Sequence, residues 1–216
     1  MLAPGGLRED TAVMGVRNYL VEGVSGTGKT SVCRELNRRG YQAINGDRAL
    51  AYQGDPETGE ATDTALHQNH IWDVDQVGAL IADEQEPVTF FCGGSRNFSK
   101  FINLFDEVFV LDIDLGTLHQ RLDQRPQGEW GSRPSERDLI VRLHQSKEDI
   151  PGTGVVIDAT RPLADVVDDI LQLVERADVR GGDAAARPQL RQMPQALDPR
   201  AARVWTHDDD DTATGR

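Results

Sequence analysis

The chain has 216 residues, with 36 acidic against 23 basic side chains and a formal net charge of −13. That charge works against nucleic-acid phosphates and anionic lipid as partners, and no window approaches the roughly 18 consecutive apolar residues of a membrane span. Hydrophobic residues make up 38%, below the usual soluble share, so part of the chain is expected to stay outside any core.

Residues 1–16 are mixed and Gly-rich, with no basic stretch leading into an apolar run. They read as a loose arm without a secretory signal. From Arg17 the pattern becomes strand, Gly-rich loop, helix: Tyr19–Val21 is β-prone, GVSGTGKT follows, and SVCRELNRRG reads as a helix stopped at Gly40. Apolar runs recur at Tyr41–Ile44, Val88–Cys92, Val108–Ile113 and Val155–Ile157. Helical patterns lie between or after them, at about Asp73–Asp83, Leu115–Arg125, Ser135–Lys147 and Leu163–Ala177. Strands alternating with helices predict an α/β fold, a parallel sheet of about five strands between two helical layers.

Two segments interrupt the alternation. Residues 46–86 hold the polar loop QGDPETGEATD and the cluster HQNHIWD, and residues 126–134 form a short polar stretch around Trp130. Beside an α/β sheet such insertions read as an acceptor-binding segment and a lid. Residues 178–216 lack a sustained apolar period and are expected to be a disordered tail, with Val204 and Trp205 as its one docking candidate. The expected organisation is therefore an arm, a domain over 17–177, and a tail. The two cysteines, Cys33 and Cys92, exclude a disulfide framework and fit a reducing cytoplasm; both read as packing residues.

The strongest chemical signal is Gly23-Val24-Ser25-Gly26-Thr27-Gly28-Lys29-Thr30, which matches G-x-x-x-x-G-K-[ST] between a predicted strand and a predicted helix. Glycines let the backbone wrap phosphate oxygens with N–H groups aimed inward, and the helix adds its positive end. Lys29 would reach the outer phosphates, and the Thr30 hydroxyl would hold Mg²⁺. The expected ligands are ATP and Mg²⁺.

These residues, together with INGDRALAY, CGGSRNF, FVLDIDLGTLHQRLDQR and IDATRPLADVV, resemble the small P-loop kinases: adenylate kinase and other nucleoside and nucleotide kinases, with shikimate and gluconate kinases as relatives. The resemblance spans roughly residues 19–174. It implies a three-layer P-loop fold and transfer of a γ-phosphoryl group to a small acceptor. The implied acceptor is a nucleoside or nucleotide, or else a shikimate- or gluconate-like hydroxyl compound. It adds Ser31 to the phosphate loop and places Gly93 and Gly94 at the acceptor. It also places Arg121 and Arg125 at adenine and phosphates, and Thr160, Arg161 and Pro162 at the adenine pocket. An ATP-binding regulatory module without transfer is the alternative. The protein is expected to be a monomer or homodimer.

The residues read the same way on their own. Arg121 and Arg125 are one helical turn apart and can share a helix face, and a guanidinium suits both base stacking and phosphate. Arg133 and Arg137 repeat the spacing beyond the lid and are candidates to neutralise the transferring group. Asp47 follows the second strand, at the sheet edge where ligands bind; it is a candidate proton acceptor or Mg²⁺ ligand, or else a helix cap. Arg48 and Arg96 would then orient the acceptor. Trp72 either stacks on a planar acceptor or belongs to the core. His67 and His70 form at most a weak metal pair. The third strand, VTFFC, ends without the carboxylate that many P-loop enzymes use to support Mg²⁺.

Overall fold

The computed structural model describes residues 16–181; the predicted arm and all but the start of the predicted tail, including Val204 and Trp205, lie outside them. The elements in chain order are β1 (Arg17–Glu22), α1 (Lys29–Arg38), β2 (Gln42–Asn45), the single turn α2 (Gly46–Ala49), β3 (Ala51–Gln53), β4 (His70–Trp72) and α3 (Val74–Ile81). They continue with β5 (Val88–Cys92), β6 (Glu107–Asp112), α4 (Leu115–Asp123), α5 (Pro134–Ser146), β7 (Val155–Asp158) and α6 (Leu163–Gly181). Five strands form one sheet in the order β2-β5-β1-β6-β7, and every pairing in it is parallel.

Period-two alternation divides the strands between two cores. Tyr19, Val21, Phe90, Cys92, Phe109 and Leu111 face a cluster closed by Val32 and Leu36 of α1, Leu118 and Leu122 of α4, and Val166 and Ile170 of α6. Leu20, Phe91, Val108 and Val110 face the other cluster, with Leu50, Trp72, Val77, Phe101 and Phe105. Because β1 is central, five of its six residues are buried, the polar Asn18 and Glu22 among them.

Helix ends follow the cap residues. Asp73 accepts the Gln76 N–H at 2.9 Å to start α3, and Asp114 accepts the Thr117 N–H at 2.9 Å to start α4. Helix α6 continues to Gly181, four residues past the predicted stop at Ala177. Residues 46–86 are more structured than expected. Ala51–Gln53 and His70–Trp72 pair antiparallel, Tyr52 opposite Ile71, as a separate two-stranded sheet. Three-residue strands are too short to show a period, and no local pattern marks them. Among the described residues no helix is long and apolar enough to cross a membrane.

Candidate active site

In a parallel sheet all strands deliver their following loops to one edge, and the order reverses on either side of β1. The loops after β1, β2, β5, β6 and β7 therefore converge. The loop after β1 is the Gly-rich motif. Gly23, Gly26 and Gly28 adopt φ of 150°, 101° and 108°, a region open to glycine. At Gly23 a Cβ would also come within 2.6 Å of the Leu111 carbonyl oxygen and the Thr27 hydroxyl. The Thr27 hydroxyl donates to the Val24 carbonyl at 2.9 Å. Lys29 folds back across the turn and donates to the carbonyls of Gly23 and Val24. Thr30 and Ser31 follow in the first turn of α1, Thr30 half-buried and Ser31 exposed.

Helix α4 and the turn after it bring two of the predicted arginines to this loop. Arg121 donates to the carbonyls of Thr27 at 2.9 Å and Gly26 at 3.3 Å, and with its other nitrogen to Ala159 at 2.7 Å. It thereby straps the phosphate loop to the turn after β7, where Thr160, Arg161 and Pro162 lie. Those three are exposed; the Thr160 hydroxyl donates to Asp158 Oδ1 at 2.6 Å, and Arg161 pairs with Asp169 at 2.7 Å. Arg125 lies 3.6 Å from where a Cβ on Gly26 would stand and donates to the Trp130 carbonyl in the 126–134 segment.

The other two arginines do not join them. Arg133 stands at the N-terminal cap of α5 with its side chain 79% exposed and Glu136 at 3.9 Å. Arg137 braces the base of the 126–134 segment, donating to Leu122 O at 2.7 Å, Asp123 at 2.5 Å and Gly131 O at 3.2 Å.

On the β2 and β5 side, Asp47 and Lys29 line one cleft of about 400 Å³, together with His70, Gly94 and Arg96. Asp47 does not cap a helix. Its Oδ1 accepts the Gly94 N–H at 2.9 Å and sits 3.3 Å from His70 Nε2. Burial works against its charge, but His70, Lys29 and the Gly94 N–H outweigh it and hold the carboxyl below its usual range. Gly93 is required here by close approach: a Cβ would fall 2.5 Å from the Trp72 ring and 2.6 Å from Asp47 Oδ1. Trp72 belongs to the core. It is 1% exposed, stacks on Phe101 at 5.5 Å, and packs closely against Gly46 and Gly93. The indole at the cleft is Trp130, stacked on His67 at 5.7 Å. Arg48 is exposed and outside the cleft lining.

His67 and His70 serve separate carboxylates: His67 bonds Asp149, and His70 faces Asp47. Among the described residues no cluster of three or more His, Cys, Asp or Glu side chains is arranged to hold a metal. Thr30 and Asp47 carry oxygen atoms of the kind that could hold Mg²⁺ beside a phosphate. Cys33 and Cys92 are both buried.

One residue escaped the sequence reading. Glu22, the last residue of β1, is 1% exposed. Its Oε2 accepts the Gly23 N–H at 2.9 Å, and its Oε1 has no hydrogen-bond partner. Burial pushes its carboxyl up to about 7, with Lys29, Arg96 and the Gly23 N–H pulling the other way. The signal was present: a lone acid ending an apolar strand, one residue before the phosphate loop. It places a carboxylate beside the loop although β5 ends without one.

Sheet order and phosphate loop define an α/β P-loop protein with the fold of the small P-loop kinases. Among solved structures, a sugar kinase from a Janibacter species is similar over 76% of this chain and 97% of its own, with 18% identity and a TM-score of 0.50. A gluconokinase from Sinorhizobium meliloti (23% identity, 77% and 95% covered, TM-score 0.47) and a shikimate kinase from Bacteroides thetaiotaomicron (16%, 74% and 98%, 0.46) are also similar. No protein-family model and no curated protein sequence matches the chain.

Proposed function

We propose that the protein is an ATP-dependent kinase that transfers the γ-phosphoryl group to a hydroxyl of a small acceptor, with a nucleoside as the favoured class. The observation behind this reading is that Lys29 of the phosphate loop and Asp47 of the loop after β2 line the same cleft. A protein that only sensed ATP has no use for a paired carboxylate and imidazole facing its phosphate loop.

The backbone N–H groups of residues 23–30 and the start of α1 bind the phosphates. On binding, Lys29 exchanges its loop carbonyls for the outer phosphate oxygens and neutralises the charge that develops on the leaving group. Thr30, with help from Asp47, would hold Mg²⁺, which would supply charge neutralisation at the phosphates. Asp47 accepts the proton of the acceptor hydroxyl as the oxygen–phosphorus bond forms and the bond to the bridging oxygen breaks, releasing the nucleoside diphosphate. His70 and the Gly94 N–H orient that carboxylate. Arg125, at the base of the lid, closes over the transferring group.

Asp47→Asn keeps size and hydrogen bonding but cannot take a proton. It should lower kcat by at least about 10²-fold, with ATP affinity little changed. Near wild-type turnover in Asp47→Asn, assayed by ATP consumption across nucleosides and sugars, removes the base role.

A further inference from the structure

The acceptor half of the cleft holds a single guanidinium, that of Arg96, and it is already neutralised. Its Nη1 contacts Asp149 Oδ2 at 2.5 Å, its Nη2 lies 4.0 Å from Glu22 Oε1, and its side chain is 13% exposed. Its backbone N–H is fixed on the His70 carbonyl at 2.9 Å, so the residue is held from both ends. The remaining positive candidates are matched too: His67 bonds Asp149, and His70 faces Asp47. Lys29 belongs to the phosphate loop, and Arg48 does not line the cleft.

An anionic acceptor therefore meets carboxylates, not free cations. A phosphate or carboxylate is held by charge-assisted bonds from Arg or Lys, and a second anion beside Asp47 and Asp149 is repelled. A hydroxyl fits better, because it can accept from Arg96 and donate to a carboxylate. The other flank is apolar: Leu66, Ile140, Leu143, Ile150 and the Trp130 ring. It suits a flat or hydrocarbon portion of the same molecule.

We infer that the acceptor is an uncharged hydroxyl compound with a planar or apolar portion, and that Asp149, paired with Arg96 while Glu22 flanks the same guanidinium at 4.0 Å, excludes acceptors bearing phosphate or carboxylate. This deepens the kinase reading and rests on it for the position of the acceptor. Among the candidate substrates it separates nucleosides from nucleotides and from sugar acids. Asp149 and Glu22 act through Arg96 and are positioning residues for specificity.

The test uses the full chain with a non-hydrolysable ATP analogue and Mg²⁺. Binding of a nucleoside panel, the corresponding 5′-monophosphates, and gluconate is measured by calorimetry, and turnover is measured separately with ATP. Wild type should bind at least one uncharged probe about 10²-fold more tightly than its monophosphate. Asp149→Asn, which keeps an acceptor for His67 but frees the Arg96 charge, should improve monophosphate affinity about tenfold or more and leave the uncharged probe within a few-fold. Glu22→Gln is the second variant, expected to shift the same ratio in the same direction if Asp149→Asn does not fold. A wild-type preference for any anionic probe, no uncharged probe bound, or an unchanged ratio in both variants overturns the inference. The two readings fail separately. Tight uncharged binding without ATP consumption sinks the kinase and spares the specificity, whereas rapid turnover of gluconate or a monophosphate does the reverse.

Discussion

Glu22 sits at the C-terminal end of the central strand with one carboxylate oxygen unpaired, beside both Lys29 and Arg96. Its carboxyl moves from 4.5 to about 7 on folding, so between those values the folded chain binds a proton that the unfolded chain has released. Stability therefore falls as pH rises through that window and levels above about 7, by a total on the order of 3 kcal/mol. Glu22→Gln still accepts the Gly23 N–H and carries no charge. We expect it to flatten this dependence and to be more stable than wild type above pH 7; urea midpoints at pH 5, 6, 7 and 8 measure it. A parallel pH profile in the two proteins would place the titration elsewhere. Lys29 is the other decisive single residue. Lys29→Ala should lower transfer by at least about 10²-fold, because it removes the cation that meets the leaving group, while circular dichroism stays unchanged. Wild-type transfer by that variant would end the phosphate-loop assignment.

Among the elements, α4 and the turn after it carry two arginines with different tasks. Arg121 holds three backbone carbonyls from two loops, so Arg121→Ala leaves part-buried acceptors unpaired. It should cost about 1–3 kcal/mol of stability and weaken ATP binding together, read by denaturation and by calorimetry. Arg125 reaches the lid through the Trp130 carbonyl. Arg125→Ala should reduce kcat more than ATP affinity, since lid charges engage most as the phosphoryl charge redistributes. Equal losses in both constants would contradict that role. The loop after β5 depends on a small residue instead. Gly93→Ala drives a methyl into Trp72 and Asp47, and should destabilise by about 1–3 kcal/mol while displacing the carboxylate from its place at the cleft.

For the whole molecule, the parallel sheet explains why residues from five separate loops meet: each strand ends at the same edge. The 126–134 segment, the 46–86 insertion and the turn after α5 then join across the cleft, as Trp130 stacks on His67, His67 bonds Asp149, and Asp149 pairs with Arg96. We propose that the folded unit ends with α6 at Gly181. A chain truncated after that residue retains every described element, and its melting temperature and ATP affinity should match those of the full chain. A clear drop in melting temperature would show that residues 182–216, through Val204 and Trp205, bury apolar surface on the domain.

The sequence by itself determined the alternation of strands and helices, the five-strand sheet and the phosphate loop, because each rests on local signals: a period, a cap or a glycine spacing. Val88–Cys92 was legible to the residue, and Asp47 was legible as a strand-end carboxylate. Tertiary structure decided the rest. Whether Asp47 capped α2 or faced the cleft turned on the Gly94 N–H, 47 residues away. Trp72 and Trp130 are alike in composition and opposite in place, since one is enclosed by Phe101 and the other is carried on the lid. Arg133 shares the spacing of a clamp but faces water, and Arg96 has the charge of an anion receptor but is paired with Asp149 and flanked by Glu22. Direction and charge pairing depend on contacts between distant segments, and a local pattern carries no record of those.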